Sequence, residues 1–109
     1  MINLYRNLAA ALSLAAMVWS MPSTTAADDL APLNFFTENY APFNYVEDNK
    51  LRGISVELLG KIFRQANSAK TLKDVKVVPW ARGYKFAQLK KNTVLFSTTR
   101  TKAREKLFK

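Results

Sequence analysis

The sequence predicts an α/β fold, a short parallel sheet joined by helices. Three observations support this: apolar runs of strand length recur along the chain, stretches of helical apolar spacing lie between them, and turn-forming residues separate the two. Leu33-Asn34-Phe35-Phe36-Thr37 is the first run and reads as a buried strand. Glu38 to Arg52 reads as a loop with Pro42 near its start, and Glu47-Asp48-Asn49-Lys50 sits turn-like between two partly apolar arms, which predicts a small hairpin. From Ser55 to Asn67, Leu58, Leu59, Ile62, Phe63 and Ala66 fall at helical spacing, so one face of a helix is expected to be buried. Ser55 is the expected N-cap, and Glu57 puts a negative charge in the first turn, where the helix dipole favours it.

Val75-Lys76-Val77-Val78 reads as a second strand ended by Pro79, and a helix from Ala81 to Lys91 is expected to turn Phe86 and Leu89 inward. Thr93-Val94-Leu95-Phe96 is the third strand, and Lys102 to Lys109 begins a third helix. A β-α-β-α-β order with crossovers of this length implies parallel strands and right-handed connections.

Residues 1–27 read as a secretory signal peptide: Arg6 and the amino terminus are positive, Leu8 to Trp19 is apolar, and Pro22 to Ala27 is rich in small residues. Cleavage after Ala27, with Thr25 at the minus-three position, fits the small-x-small rule, and cleavage after Ala26 fits nearly as well. The apolar run falls short of the roughly 20 residues a membrane helix needs. The expected location is therefore the periplasm, with residues 28–109 as the mature domain.

The whole chain has 17 Lys plus Arg against 8 Asp plus Glu, a net charge of +9, and Arg6 is the only charged side chain in the leader, so the mature net is +8. Such a surplus favours acidic partners of many kinds without choosing among them. The absence of Cys removes disulfides and thiolate metal sites, and the absence of His removes the usual neutral-pH proton shuttle. These absences argue against a hydrolase or a zinc enzyme; no catalytic residue, metal or cofactor is expected.

In open parallel sheets ligands bind beyond the carboxyl ends of the strands. Three segments lie at such ends: Glu38 to Phe43, with Tyr40 beside Pro42; Trp80-Ala81-Arg82-Gly83; and Ser97-Thr98-Thr99-Arg100-Thr101-Lys102-Ala103-Arg104. A guanidinium presents parallel donors that match both oxygens of a carboxylate, and Ser and Thr hydroxyls add donors to the same anion. The competing reading makes Ser97, Thr98 and Thr99 caps of the next helix and leaves Arg100 and Arg104 on its solvated face. Trp80 and Phe43 suit core packing as well as a binding cleft.

The signal peptide, the Asn-Tyr-Ala-Pro-Phe loop, the Gly-Ile-Ser-Val-Glu-Leu-Leu helix start, Pro-Trp-Ala-Arg, and Ser-Thr-Thr-Arg-Thr-Lys-Ala-Arg together resemble the amino-terminal part of bacterial extracellular solute-binding proteins of family 3. These are the periplasmic amino-acid-binding components of ABC transporters. The resemblance spans nearly all of the mature chain. It implies part of lobe 1 of a type II periplasmic binding protein fold, a noncatalytic function of capturing a small carboxylate-bearing solute such as an amino acid, and an ABC permease as partner of a full-length form. It further implies that Tyr40 and Trp80 wall the ligand slot, that Ser97 and Thr99 bind the ligand, that Arg104 clamps its carboxylate, and that Gly53 is structural.

Lys90-Lys91-Asn92-Thr93 stands where the family commonly has Gly and Asp, Arg100 is an extra cation in the hydroxyl motif, and Arg82, also a candidate ligand contact, follows the Trp in only some members. These departures point to a larger or doubly acidic ligand. Against the family pattern the sequence stops inside the first lobe, so the second lobe and the returning segment are expected to be missing, leaving a truncated domain with an open strand edge that is expected to be marginally stable or aggregation-prone; a monomer is the expected functional state. Two further readings are a secreted basic protein that binds polyanions such as nucleic acid or anionic envelope components, although the solute-binding reading expects no nucleic-acid partner, and a truncated remnant without function. Secreted lytic transglycosylases share this lobe, but their catalytic domain has no counterpart here.

Overall fold

The computed structural model describes residues 26–108. All but two residues of the predicted signal peptide lie outside that range. Strands β1 (Asn34–Thr37), β4 (Lys76–Val77) and β5 (Thr93–Leu95) form a parallel sheet in the order β4-β1-β5, and β2 (Tyr45–Glu47) pairs antiparallel with β3 (Lys50–Arg52). The helices are α1 (Ile54–Gln65), α2 (Trp80–Leu89) and a single turn, α3 (Lys102–Glu105). The chain is thus a small mixed α/β domain.

Alternation along β1 divides the interior. Phe35 faces α1, its ring edge-on to Phe63 at 5.0 Å, while Phe36 faces α2, its ring 5.5 Å from Phe86. Leu59 and Val75 complete the α1 side, with Leu30, Leu33, Leu51, Leu72, Val94 and Phe96 packed around them. On the α2 side the helix comes close to the sheet because Gly83 has no side chain: a Cβ there would lie 2.9 Å from Leu95 Cδ1 and 3.3 Å from Val78 Cγ2.

The hairpin forms where expected, and Asp48 and Asn49 both take positive φ (50° and 58°), as a tight two-residue turn with the twist of its strands requires. Other expectations need correction. The N-cap of α1 is Gly53, not Ser55, and no side chain caps it. The N–H groups of Ile54 and Ser55 instead donate to the carbonyls of Pro42 and Phe43 at 3.2 and 2.9 Å. That close approach requires glycine: Gly53 has φ 121°, and a Cβ on it would collide with the Phe43 carbonyl.

The buried face of α1 is Val56, Leu59, Gly60 and Phe63, whereas Leu58 and Ile62 are exposed. Leu89 does not turn inward; it is 72% exposed, because the close contact at Gly83 sets which flank of α2 meets the sheet. A 3₁₀ turn at Leu72–Asp74, closed by a Thr71–Asp74 capping box, precedes β4 and was not anticipated. The third helix ends after one turn, and its cap is Thr101, whose Oγ1 accepts from the Arg104 N–H at 3.2 Å, rather than Ser97, Thr98 or Thr99.

Just after the predicted cleavage point, the Asp28 carboxylate accepts from the Ala69 N–H (2.8 Å), the Ser68 hydroxyl (2.9 Å) and the Leu30 N–H (3.0 Å). These bonds tie the start of the domain to the segment that follows α1. The Ala69 N–H foremost, against the opposing effect of desolvation and with the help of the Ser68 and Leu30 donors, holds the Asp28 carboxyl below its ordinary 3.8.

Candidate ligand-binding site

Parallel pairing places the carboxyl ends of β4, β1 and β5 on one side of the sheet. Trp80 opens α2 two residues after Val78, whose N–H donates to the Thr37 carbonyl at 2.9 Å and keeps the chain in register to that point. One turn on, Tyr84 stacks on Trp80 with ring centroids 4.7 Å apart, the expected neighbour at i+4. Phe108 meets Tyr84 edge-on at 5.1 Å.

Arg104 lies across this stack. Its guanidinium carbon is 5.1 Å from the Trp80 ring centroid and 5.6 Å from that of Tyr84, within cation–π range of both. Its Nη1 donates to the Thr99 carbonyl at 2.9 Å. The aromatic faces and this one bond orient the fork, and its remaining N–H donors stay available to an anion. Beside it runs a cleft of about 600 Å³ lined by Val94, Leu95, Thr98, Thr99, Arg100, Arg104 and Glu105, with Ala87 and Phe108 among its apolar walls. Arg100 is committed to Glu105 through its Nε, in an exposed ion pair.

Trp80, Thr99 and Arg104 are therefore brought together, and Thr99 contributes its carbonyl. Ser97 lies at the same strand ends but faces another neighbour: its hydroxyl is 3.1 Å from that of Ser55 in the first turn of α1, and its own φ is +62°. Tyr40, 57% exposed, stacks on Phe43 at 5.7 Å within the turn that the Tyr40–Asn44 bridge closes. No hydrogen bond or cation–π contact joins Tyr40 to Arg104 among the described residues. Arg82 is not part of the group; it lies on the opposite flank of α2 with Lys85, Phe86 and Leu89.

Two contributors escaped the sequence reading. Tyr84 carried a usable signal in its i+4 spacing from Trp80, whereas Phe108 had none, being set by where the chain goes after α3. Two buried polar atoms, Thr37 Oγ1 and Asn44 Oδ1, lack a partner among the described residues. Thr37 is the last residue of β1 and is fully buried, so its hydroxyl lies beneath the strand ends rather than in the open cleft. Comparison with protein-family models, with curated proteins and with solved structures finds no match to this chain.

Proposed function

We propose that this chain is the amino-terminal part of the first lobe of an exported, periplasmic solute-binding domain of the family 3 type, and that it holds a small polar solute by its carboxylate without transforming it. The observation that carries this reading is the convergence of Trp80, Thr99 and Arg104 at the carboxyl ends of a parallel sheet, with the guanidinium already oriented and most of its donors unspent. A carboxylate arriving there takes two parallel N–H donors from Arg104, and the solute's apolar portion lies against the Trp80–Tyr84 stack. In a full-length form a second lobe closes over the solute and presents it to an ABC permease.

A ligand on this site alone is covered from one side, so binding is expected to be weak, in the millimolar range. Titration calorimetry of the chain with L-glutamate and succinate, against their uncharged diamides, tests the reading. Carboxylate-dependent heats that vanish in Arg104→Ala are expected. Equal heats for acids and amides, or no loss in Arg104→Ala, would count against it.

A further inference from the structure

From Trp80 to Asn92 the chain carries Arg82, Lys85, Lys90 and Lys91 and no acidic residue. Helical geometry puts Arg82 and Lys85 on one flank of α2, and Lys90, the extended residue just past the helix end, borders with them a shallow hollow lined by Ala81, Phe86 and Leu89. Lys76 of β4 extends the same surface: its Nζ is 5.8 Å from the Phe36 ring, the Lys90 Nζ is 3.9 Å from the Phe86 ring, and those two rings are in contact. Among the described residues the only ion pairs are Arg52–Glu47 and Arg100–Glu105, so every cation of this surface lacks a carboxylate partner. Amid them stands Leu89, at 72% the most exposed large apolar side chain of the described residues.

We propose that this flank of α2 is a docking face for an anionic phospholipid bilayer. Unpaired cations around a protruding aliphatic side chain are what an interfacial helix needs: the ammonium and guanidinium groups meet headgroup phosphates while Leu89 enters the acyl boundary. Long Lys and Arg stems let the charges reach the headgroups as the apolar floor sinks. Phosphates of a nucleic acid would satisfy the cations equally, but they offer nothing to Leu89. Arg82 finds its role here, away from the Trp80–Arg104 group, so the proposal stands independently of the solute-binding reading.

Co-sedimentation of the full chain with phosphatidylcholine vesicles, with and without phosphatidylglycerol, tests it, the reading being the ratio of the two partition coefficients. The leader is the same in every variant, so comparison between variants removes its contribution. Arg82→Gln with Lys85→Gln is expected to lower the phosphatidylglycerol-dependent partition by about twenty-five-fold, about fivefold for each cation near the surface. Lys50→Gln with Lys61→Gln, an equal loss of charge on the hairpin and α1, should leave it nearly unchanged. Leu89→Ser is expected to lower partition by about tenfold while leaving binding to heparin unchanged. Equal losses in the two double variants would reduce the effect to net charge and overturn the proposal. So would an unaffected Leu89→Ser, which would assign the face to a polyanion such as nucleic acid, or an absence of any phosphatidylglycerol dependence.

Discussion

Four residues carry roles that single substitutions separate. Arg104 is oriented by Trp80, Tyr84 and the Thr99 carbonyl. Arg104→Ala should weaken carboxylate binding by about 1.5–3 kcal/mol, the worth of a charge-assisted contact, and Arg104→Lys should not restore it, because an ammonium lacks the planar fork. Gly53 and Gly60 make a contrasting pair. Gly53→Ala forces a side chain onto φ 121° and into the Phe43 carbonyl, so a loss of about 2 kcal/mol or more in urea denaturation is expected. The nearest atoms to a Cβ at Gly60 are 3.5 Å away, so Gly60→Ala should gain up to about 1 kcal/mol from helix propensity. Asp28 has its folded pKa lowered below 3.8, so its carboxylate contributes stability above that pH and loses it as pH falls through the folded value. The stability difference between the unmutated chain and Asp28→Asn should therefore be constant above that point and shrink below it.

At the scale of elements, local chemistry was readable and long-range contact was not. The β2–β3 hairpin followed from Asp48-Asn49, and the helical stretch of α1 from its apolar spacing, because both signals act within a few residues. Ser55 misled because the carbonyls of Pro42 and Phe43 reach α1's first N–H groups from a turn twelve residues upstream, and no local rule reports that. Leu89 misled because Gly83, rather than a large apolar residue, marks the contact face of α2. In the candidate site, Trp80, Thr99 and Arg104 were legible as residues at strand ends, whereas the separation of Arg82 onto the far flank followed only from the rotation of α2. The one-turn helix α3 depends on its cap, so Thr101→Val, which removes the acceptor for the Arg104 N–H, should cost about 1 kcal/mol of stability. It should also reduce carboxylate affinity, though less than Arg104→Ala.

For the molecule as a whole, the two edges of the sheet differ in kind. β4 is two residues long and carries Lys76, a short and charged edge that discourages pairing. β5 has no outer partner among the described residues: Asn34 N–H donates to the Asn92 carbonyl and Phe96 N–H to the Phe36 carbonyl, so by parallel alternation Thr93 and Leu95 present their backbone groups outward. Concentration-dependent self-association in sedimentation velocity is expected, and Thr93→Pro should reduce it, since that N–H takes no part in pairing with β1. Undiminished association in Thr93→Pro, with β1–β5 pairing intact, would contradict this. The central claim is that Arg104, held against Trp80, binds a small carboxylate. It is tested most directly by following the Trp80 indole N–H resonance of the ¹⁵N-labelled Trp19→Phe chain during titration with L-glutamate. The account predicts a saturable shift in the unmutated Arg104 background that is absent in Arg104→Ala; a resonance that L-glutamate leaves unmoved, or moves equally in both, would contradict it.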